Sequence, residues 1–84
     1  MKEFRWNELK SKRLKQVRGV SFEELVQCPV INIVDHSQRD QKLYLFLYHD
    51  YVWVAPAIIE EEYVFLKTLF PNRKFTKMYY GGKL

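Results

Sequence analysis

Residues 42–59 read Lys42-Leu43-Tyr44-Leu45-Phe46-Leu47-Tyr48-His49-Asp50-Tyr51-Val52-Trp53-Val54-Ala55-Pro56-Ala57-Ile58-Ile59. Two runs rich in β-branched and aromatic residues flank the polar pair His49-Asp50, the pattern of two strands joined by a tight turn. Leu43 to Tyr48 is apolar at every position, so both faces of that strand need cover, which predicts a central place in a sheet. Pro56 has no amide proton for a ladder bond and belongs at a bulge or where a neighbouring strand departs. Working outward, the same residue types recur at Val30 to Asp35 and at Tyr63 to Phe70. With Lys42 to His49 and Tyr51 to Ile59 they make a four-stranded meander. Ser37 to Gln41 reads as a polar turn, and Glu60-Glu61-Glu62 closes the last hairpin.

Upstream, Glu3 to Trp6 reads as a short strand. Asn7 is placed to cap a helix running to Arg18, because its side-chain oxygen can accept a free first-turn amide. At about 100° per residue, Trp6, Leu9, Leu14 and Val17 fall within an arc of about 140°, enough to face a core. Lys10 lies inside that arc, so its stem covers apolar surface or its ammonium points into a cleft. Gly19 suits a left-handed helix stop. Ser21-Phe22-Glu23-Glu24 matches a capping box, with Val20 set to staple onto Leu25, and Pro29 prevents the second helix from continuing. Downstream, Pro71-Asn72 opens a helix from Arg73 to Tyr80, which Gly81-Gly82 ends. The order β-α-α-β-β-β-β-α predicts a single α+β domain over residues 1–84. Two N-terminal helices and a C-terminal helix are expected on one face of a four- to five-stranded antiparallel sheet, leaving the other face partly open to a ligand.

Composition narrows the function classes. Hydrophobic residues make up 48% and aromatic residues 17%, enough for a folded core. Net charge is +4, unevenly spread: residues 1–27 carry +3, residues 28–66 carry −4, and residues 67–84 carry +5. Two basic ends around an acidic middle favour a polyanion or an acidic protein partner. Cys28 is the only cysteine, so an internal disulfide is excluded and a reducing cytoplasm is the natural setting. Neither a membrane-length apolar run nor a secretory apolar region is present. Two distant histidines and one cysteine give no metal-ligand spacing, and neither a Gly-rich phosphate loop nor a nucleophile elbow appears, so no metal or cofactor is expected.

The strongest functional feature is the last eighteen residues: Lys67, Arg73, Lys74, Lys77 and Lys83, no acid, and the pair Tyr79-Tyr80. Cations neutralise phosphates and tyrosine rings stack on bases, which suits a phosphodiester chain. The competing reading is an amphipathic helix that packs Phe75, Met78 and Tyr79 inward and solvates its lysines.

Phe4-Arg5-Trp6-Asn7-Glu8-Leu9-Lys10, followed by Arg18-Gly19-Val20-Ser21-Phe22-Glu23-Glu24, resembles the opening of the BrnT-type toxins, small bacterial toxins with the fold shared by RelE and ParE. That family shows an F-x-W-[DN]-x-x-K run, a helix, then G-[VI]-S-F-E-E. Arg73-Lys74-Phe75-Thr76 resembles its R-K-A-T segment. The matches span about half the chain. Lys67 stands on the last strand where family members often carry arginine, and the link between the second and third strands of the chain is shorter than theirs. The resemblance implies the toxin of a type II toxin–antitoxin pair that cleaves RNA without a metal and is neutralised by a DNA-binding antitoxin.

Metal-free cleavage needs the 2′-hydroxyl deprotonated, the phosphate's extra charge stabilised, and the leaving 5′-oxygen protonated. Lys67 and Arg73 are the candidates for charge stabilisation. His49 beside Asp50 is the candidate proton carrier, ahead of Glu62, a tyrosine, or His36 beside Asp35. Tyr80 is the candidate for stacking, because Tyr79 continues the Phe75 stripe. Lys74, Lys77 and Lys10 are the candidate RNA-binding cations, and Lys67, Arg73 and Lys77 are expected to share one cradle. Two other classes stay open: an inactive toxin-fold module that binds an antitoxin or another protein, and a nucleic-acid-binding domain that does not cleave.

Overall fold

The computed structural model describes residues 2–37 and 40–84. The predicted turn over Ser37 to Gln41 therefore lies partly outside the described residues, at positions 38 and 39. Strands β3 (Gln41–Tyr48) and β4 (Tyr51–Ile59) pair antiparallel along their length, from Gln41 opposite Ile58 to Tyr48 opposite Tyr51. His49 and Asp50 turn the chain with φ of 48° and 63°. Two left-handed residues are what a two-residue hairpin with the natural strand twist requires, and His and Asp tolerate them better than most side chains.

β2 (Val30–Asp35) pairs with the outer side of β3, with a register shift between Val30 and Asn32. On the other side of β4 the expected single strand is two: β5 (Tyr63–Leu66) and β6 (Phe70–Pro71). Residues 67–69 leave the ladder between them. Pro56 lies opposite that detour, where no neighbour asks for its missing amide proton, and its carbonyl accepts the Lys67 amide at 2.8 Å. β1 (Glu3–Arg5) lies beside β5 and parallel to it, so the order is β1-β5-β4-β3-β2 with β6 on β4. The sheet is thus mixed and six-stranded rather than antiparallel with four or five strands. The parallel pair arises because the first strand joins the far edge, and helices carry the chain back across the sheet before β2.

Helix α1 (Glu8–Arg18) starts at Asn7, whose side chain accepts the Lys10 amide, and stops at Gly19 with φ 80°. Helix α2 (Phe22–Leu25) carries both bonds of the Ser21–Glu24 capping box, with Val20 and Leu25 buried beside it. Both helices pack on the face of β3 and β4 that presents Tyr44, Phe46, Tyr48, Trp53 and Ala55. That face is concave. The Phe4 ring lies 5.6 Å from Tyr44 and 5.9 Å from Phe46, although β5 and β4 separate their strands. In a flat sheet three strand spacings would hold them about 14 Å apart.

Helix α3 (Arg73–Tyr80) covers the opposite face, with Phe75 and Tyr79 packed on Leu45, Val52 and Val54. The expectation of three helices on one face is therefore corrected. β3 and β4 are apolar on both sides, and a second layer must cover the face that α1 and α2 leave bare. Among the described residues no helix is long and apolar enough to cross a membrane.

Candidate nucleic-acid interface

Only Ser11 and Leu14 of α1 are buried, while Leu9 is 78% and Val17 72% exposed. The apolar arc of the sequence thus misplaces the inward side. Ser11 is buried because its hydroxyl accepts the Phe22 amide at 3.0 Å and donates to the Glu23 carboxylate, tying α1 to α2. The Ser11 hydrogen bond in turn holds the Glu23 carboxyl below its ordinary pKa. The buried indole N–H of Trp6 also helps lower it, but stops short of a completed hydrogen bond, and that N–H has no partner among the described residues. The inward stripe is Ser11, Leu14 and Arg18, whose guanidinium donates to the Leu69 carbonyl at 2.7 Å. This bond anchors the 67–69 detour against α1.

The outward turn of α1 then faces the end of β5 across a cleft of about 500 Å³. Lys10 and Arg13 line one wall and Lys67 the other. Leu9, Leu14 and Phe65 supply apolar surface, and no acid lines the cleft. Among the described residues none of the three cations is in an ion pair.

Helix α3 is fixed to β4 by polar contacts at its start. The Asn72 side chain caps the Phe75 amide at 2.8 Å, its backbone amide donates to the Val52 carbonyl, and the Val52 amide donates to the Thr76 hydroxyl at 2.9 Å. With Phe75 and Tyr79 turned inward, Arg73, Lys74, Lys77 and Met78 line an outer hollow of about 490 Å³. At the far end of the helix the Tyr80 hydroxyl donates to the Asp50 carbonyl at 2.8 Å. Desolvation, then the nearby Asp50 carboxylate, raises the Tyr80 pKa. His49, the other residue of the turn, is exposed, with its ring stacked on Tyr48 at 4.1 Å.

The seven candidates therefore occupy three places. Lys10 and Lys67 face each other across the α1–β5 cleft; Arg73, Lys74 and Lys77 run along the outside of α3; at the hairpin turn Tyr80 is bonded to the Asp50 carbonyl from the α3 side, whereas the His49 ring stacks on Tyr48, which belongs to the α1–α2 face. Arg73 and Tyr80 are about 10 Å apart along the helix axis, and Lys77 stands one turn from Tyr80 on the same side. Lys67 lines a different hollow from Arg73 and Lys77, so the arrangement is a set of stations rather than one cradle.

Arg13, Phe65 and Leu9 join the cleft without having been singled out by sequence. The signal that locates Leu9 and Arg13 is the 11-14-18 spacing of the inward stripe, which turns them outward together; Phe65, on β5, has no such signal. Compared with protein-family models, curated proteins and solved structures, the chain finds no match in any of the three.

Proposed function

We propose that this chain is the toxin of a bacterial type II toxin–antitoxin pair, with a RelE/ParE-like fold, and that it cleaves RNA in the cytoplasm without a metal. The observation that carries the reading is unopposed charge. Two hollows, one lined by Lys10, Arg13 and Lys67 and the other by Arg73, Lys74 and Lys77, contain six cations and no acid. Such surfaces attract a polyanion and hold its phosphates by displacing counterions. The element order, a strand and two helices before a meander and a final helix, is the order the BrnT resemblance implies.

In this reading the cleft and the α3 face position the strand, and the cut falls at the hairpin end of α3. There the exposed His49 is the proton carrier, Tyr80 a stacking surface held by its bond to Asp50, and Lys77 the nearest helix cation to stabilise the phosphate. A cognate antitoxin would cover the same cations with acidic side chains.

A specific observation favours a second reading, a non-cleaving toxin-fold module that binds RNA or an antitoxin. The proton carrier His49 is on the β3–β4 turn, whereas Lys67, one of the two leading phosphate cations from sequence, lines the cleft beside α1.

Incubating purified protein with total RNA and a chelator separates the two. The ribonuclease reading expects discrete fragments with cyclic phosphate ends, reduced about 10²-fold or more by His49→Ala and by Lys77→Ala. Intact RNA at high protein concentration would overturn it in favour of the binding module.

A further inference from the structure

The α1–β5 cleft combines features that a simple phosphate grip does not need. Leu9 projects into solvent at 78% exposure and lines the cleft, whereas the other exposed apolar residue of the helix, Val17, does not. Phe65 is half-buried, one residue before the end of β5, and lines the same cleft. Buried Leu14 contributes to its lining. Lys10 and Arg13, on one side of α1, and Lys67, at the strand end, bring three cations to this apolar surface. The volume of about 500 Å³ suits one nucleotide unit and is too small for a duplex, whose bases remain paired and stacked inside the helix.

We infer that this cleft is a mononucleotide subsite, in which one base of a single strand lies against Phe65 and Leu9 while its phosphate is held by Lys10, Arg13 and Lys67. The inference rests on the proposed action on RNA and gives the cleft a role separate from the α3 face: it captures one splayed-out base and so sets the register of the strand. Its ligand chemistry is a nucleoside monophosphate, whether a unit of RNA or a free nucleotide. The Arg18 bond to the Leu69 carbonyl ties α1 to the segment that carries Lys67, which favours a preorganised subsite. Stacking is tolerant of base identity, since every base presents a π-face.

The test is a titration of the intact chain, followed by backbone amide NMR shifts, with adenosine monophosphate, inorganic phosphate and adenosine as separate probes. The subsite predicts shifts centred on residues 9–14 and 65–67, with the nucleotide bound about tenfold or more tighter than phosphate or nucleoside alone. Phe65→Leu should remove that advantage over phosphate, and Lys67→Gln should weaken both phosphate-bearing probes. Leu9→Ser, at an exposed position that does not affect folding, repeats the Phe65 test if that variant is unstable. Lys12→Gln, on another side of α1, is the control and should change nothing.

Equal binding of phosphate and nucleotide, or shifts elsewhere, would overturn the inference. A parallel titration with single-stranded RNA distinguishes the two proposals. RNA binding unaffected by Phe65→Leu, Leu9→Ser and Lys67→Gln would sink the subsite and leave the RNA reading standing. Nucleotide bound in the cleft, with RNA not retained, would do the reverse and assign the cleft to free nucleotides.

Discussion

Glu24 shows how one side chain can link local structure to stability. Its carboxylate accepts the Lys15 ammonium at 2.9 Å and the Ser21 amide at 3.0 Å, completing the capping box and pinning α1 to the start of α2. The Lys15 hydrogen bond first, then the Ser21 amide, pull its pKa down from 4.5 to about 2. A folded-state pKa below the unfolded value means that the charged form stabilises the fold. That stabilisation is fully present above the unshifted value of 4.5 and is lost as pH falls toward about 2. Thermal unfolding between about pH 2 and pH 6 should therefore show a midpoint that drops through this window. Glu24→Gln keeps the capping hydrogen bonds but not the charge, so it should flatten that drop, and an unchanged acid slope in the variant would refute the assignment. At this scale much was visible in the sequence: Asn7, Gly19, Ser21 and Glu24 do what their types and spacing predict, because capping is decided within four residues. Arg18 was not visible, since its partner Leu69 is 51 positions away.

The elements depend on two kinds of fastening. α1 and α2 are held by burial of Leu14, Phe22 and Leu25 and by the Ser11 bridge, whereas α3, with no fully buried residue of its own, relies on Phe75 and Tyr79 and on polar contacts with β4. Thr76 is central to the second set, accepting the Val52 amide and donating to the Asn72 carbonyl. Thr76→Val keeps the shape and leaves that strand amide without its acceptor, so chemical denaturation should show a loss of about 1–3 kcal/mol. Hydrogen exchange at α3 amides should quicken more than at α1; equal exchange in both helices would show that α3 is not separately docked. Strand boundaries at Val30–Asp35 and Tyr51–Ile59 and the helix at Arg73–Tyr80 agree with the sequence reading, because alternation and capping are local signals. The β5–β6 break and the parallel placement of β1 do not appear in any local pattern. The first follows from how residues 67–69 meet Pro56 and Arg18, and the second from which edge of the sheet was free.

Across the whole molecule, the uneven charge of the chain becomes a surface arrangement. The basic N-terminal block supplies Lys10 and Arg13, the basic C-terminal block supplies Lys67 and the α3 stripe, and the acidic stretch at Glu60–Glu62 closes the β4–β5 hairpin. Sequence alone singled out these cations but not their grouping. Placing α3 on the face opposite α1 moves Arg73 and Lys77 away from Lys67, and that decision depends on β3 and β4 being apolar on both sides. Tyr79 packs inward while Tyr80 stays 59% exposed, a division that the Phe75 stripe did predict. The central claim is that the two cation sets bind the backbone of single-stranded RNA, and the salt dependence of that binding tests it most directly. Six phosphate contacts predict a log–log slope of up to about −4, falling to about −2 when Lys10, Arg13 and Lys67 are replaced together by glutamine. A slope near zero, or one that the triple replacement leaves unchanged, would contradict the account.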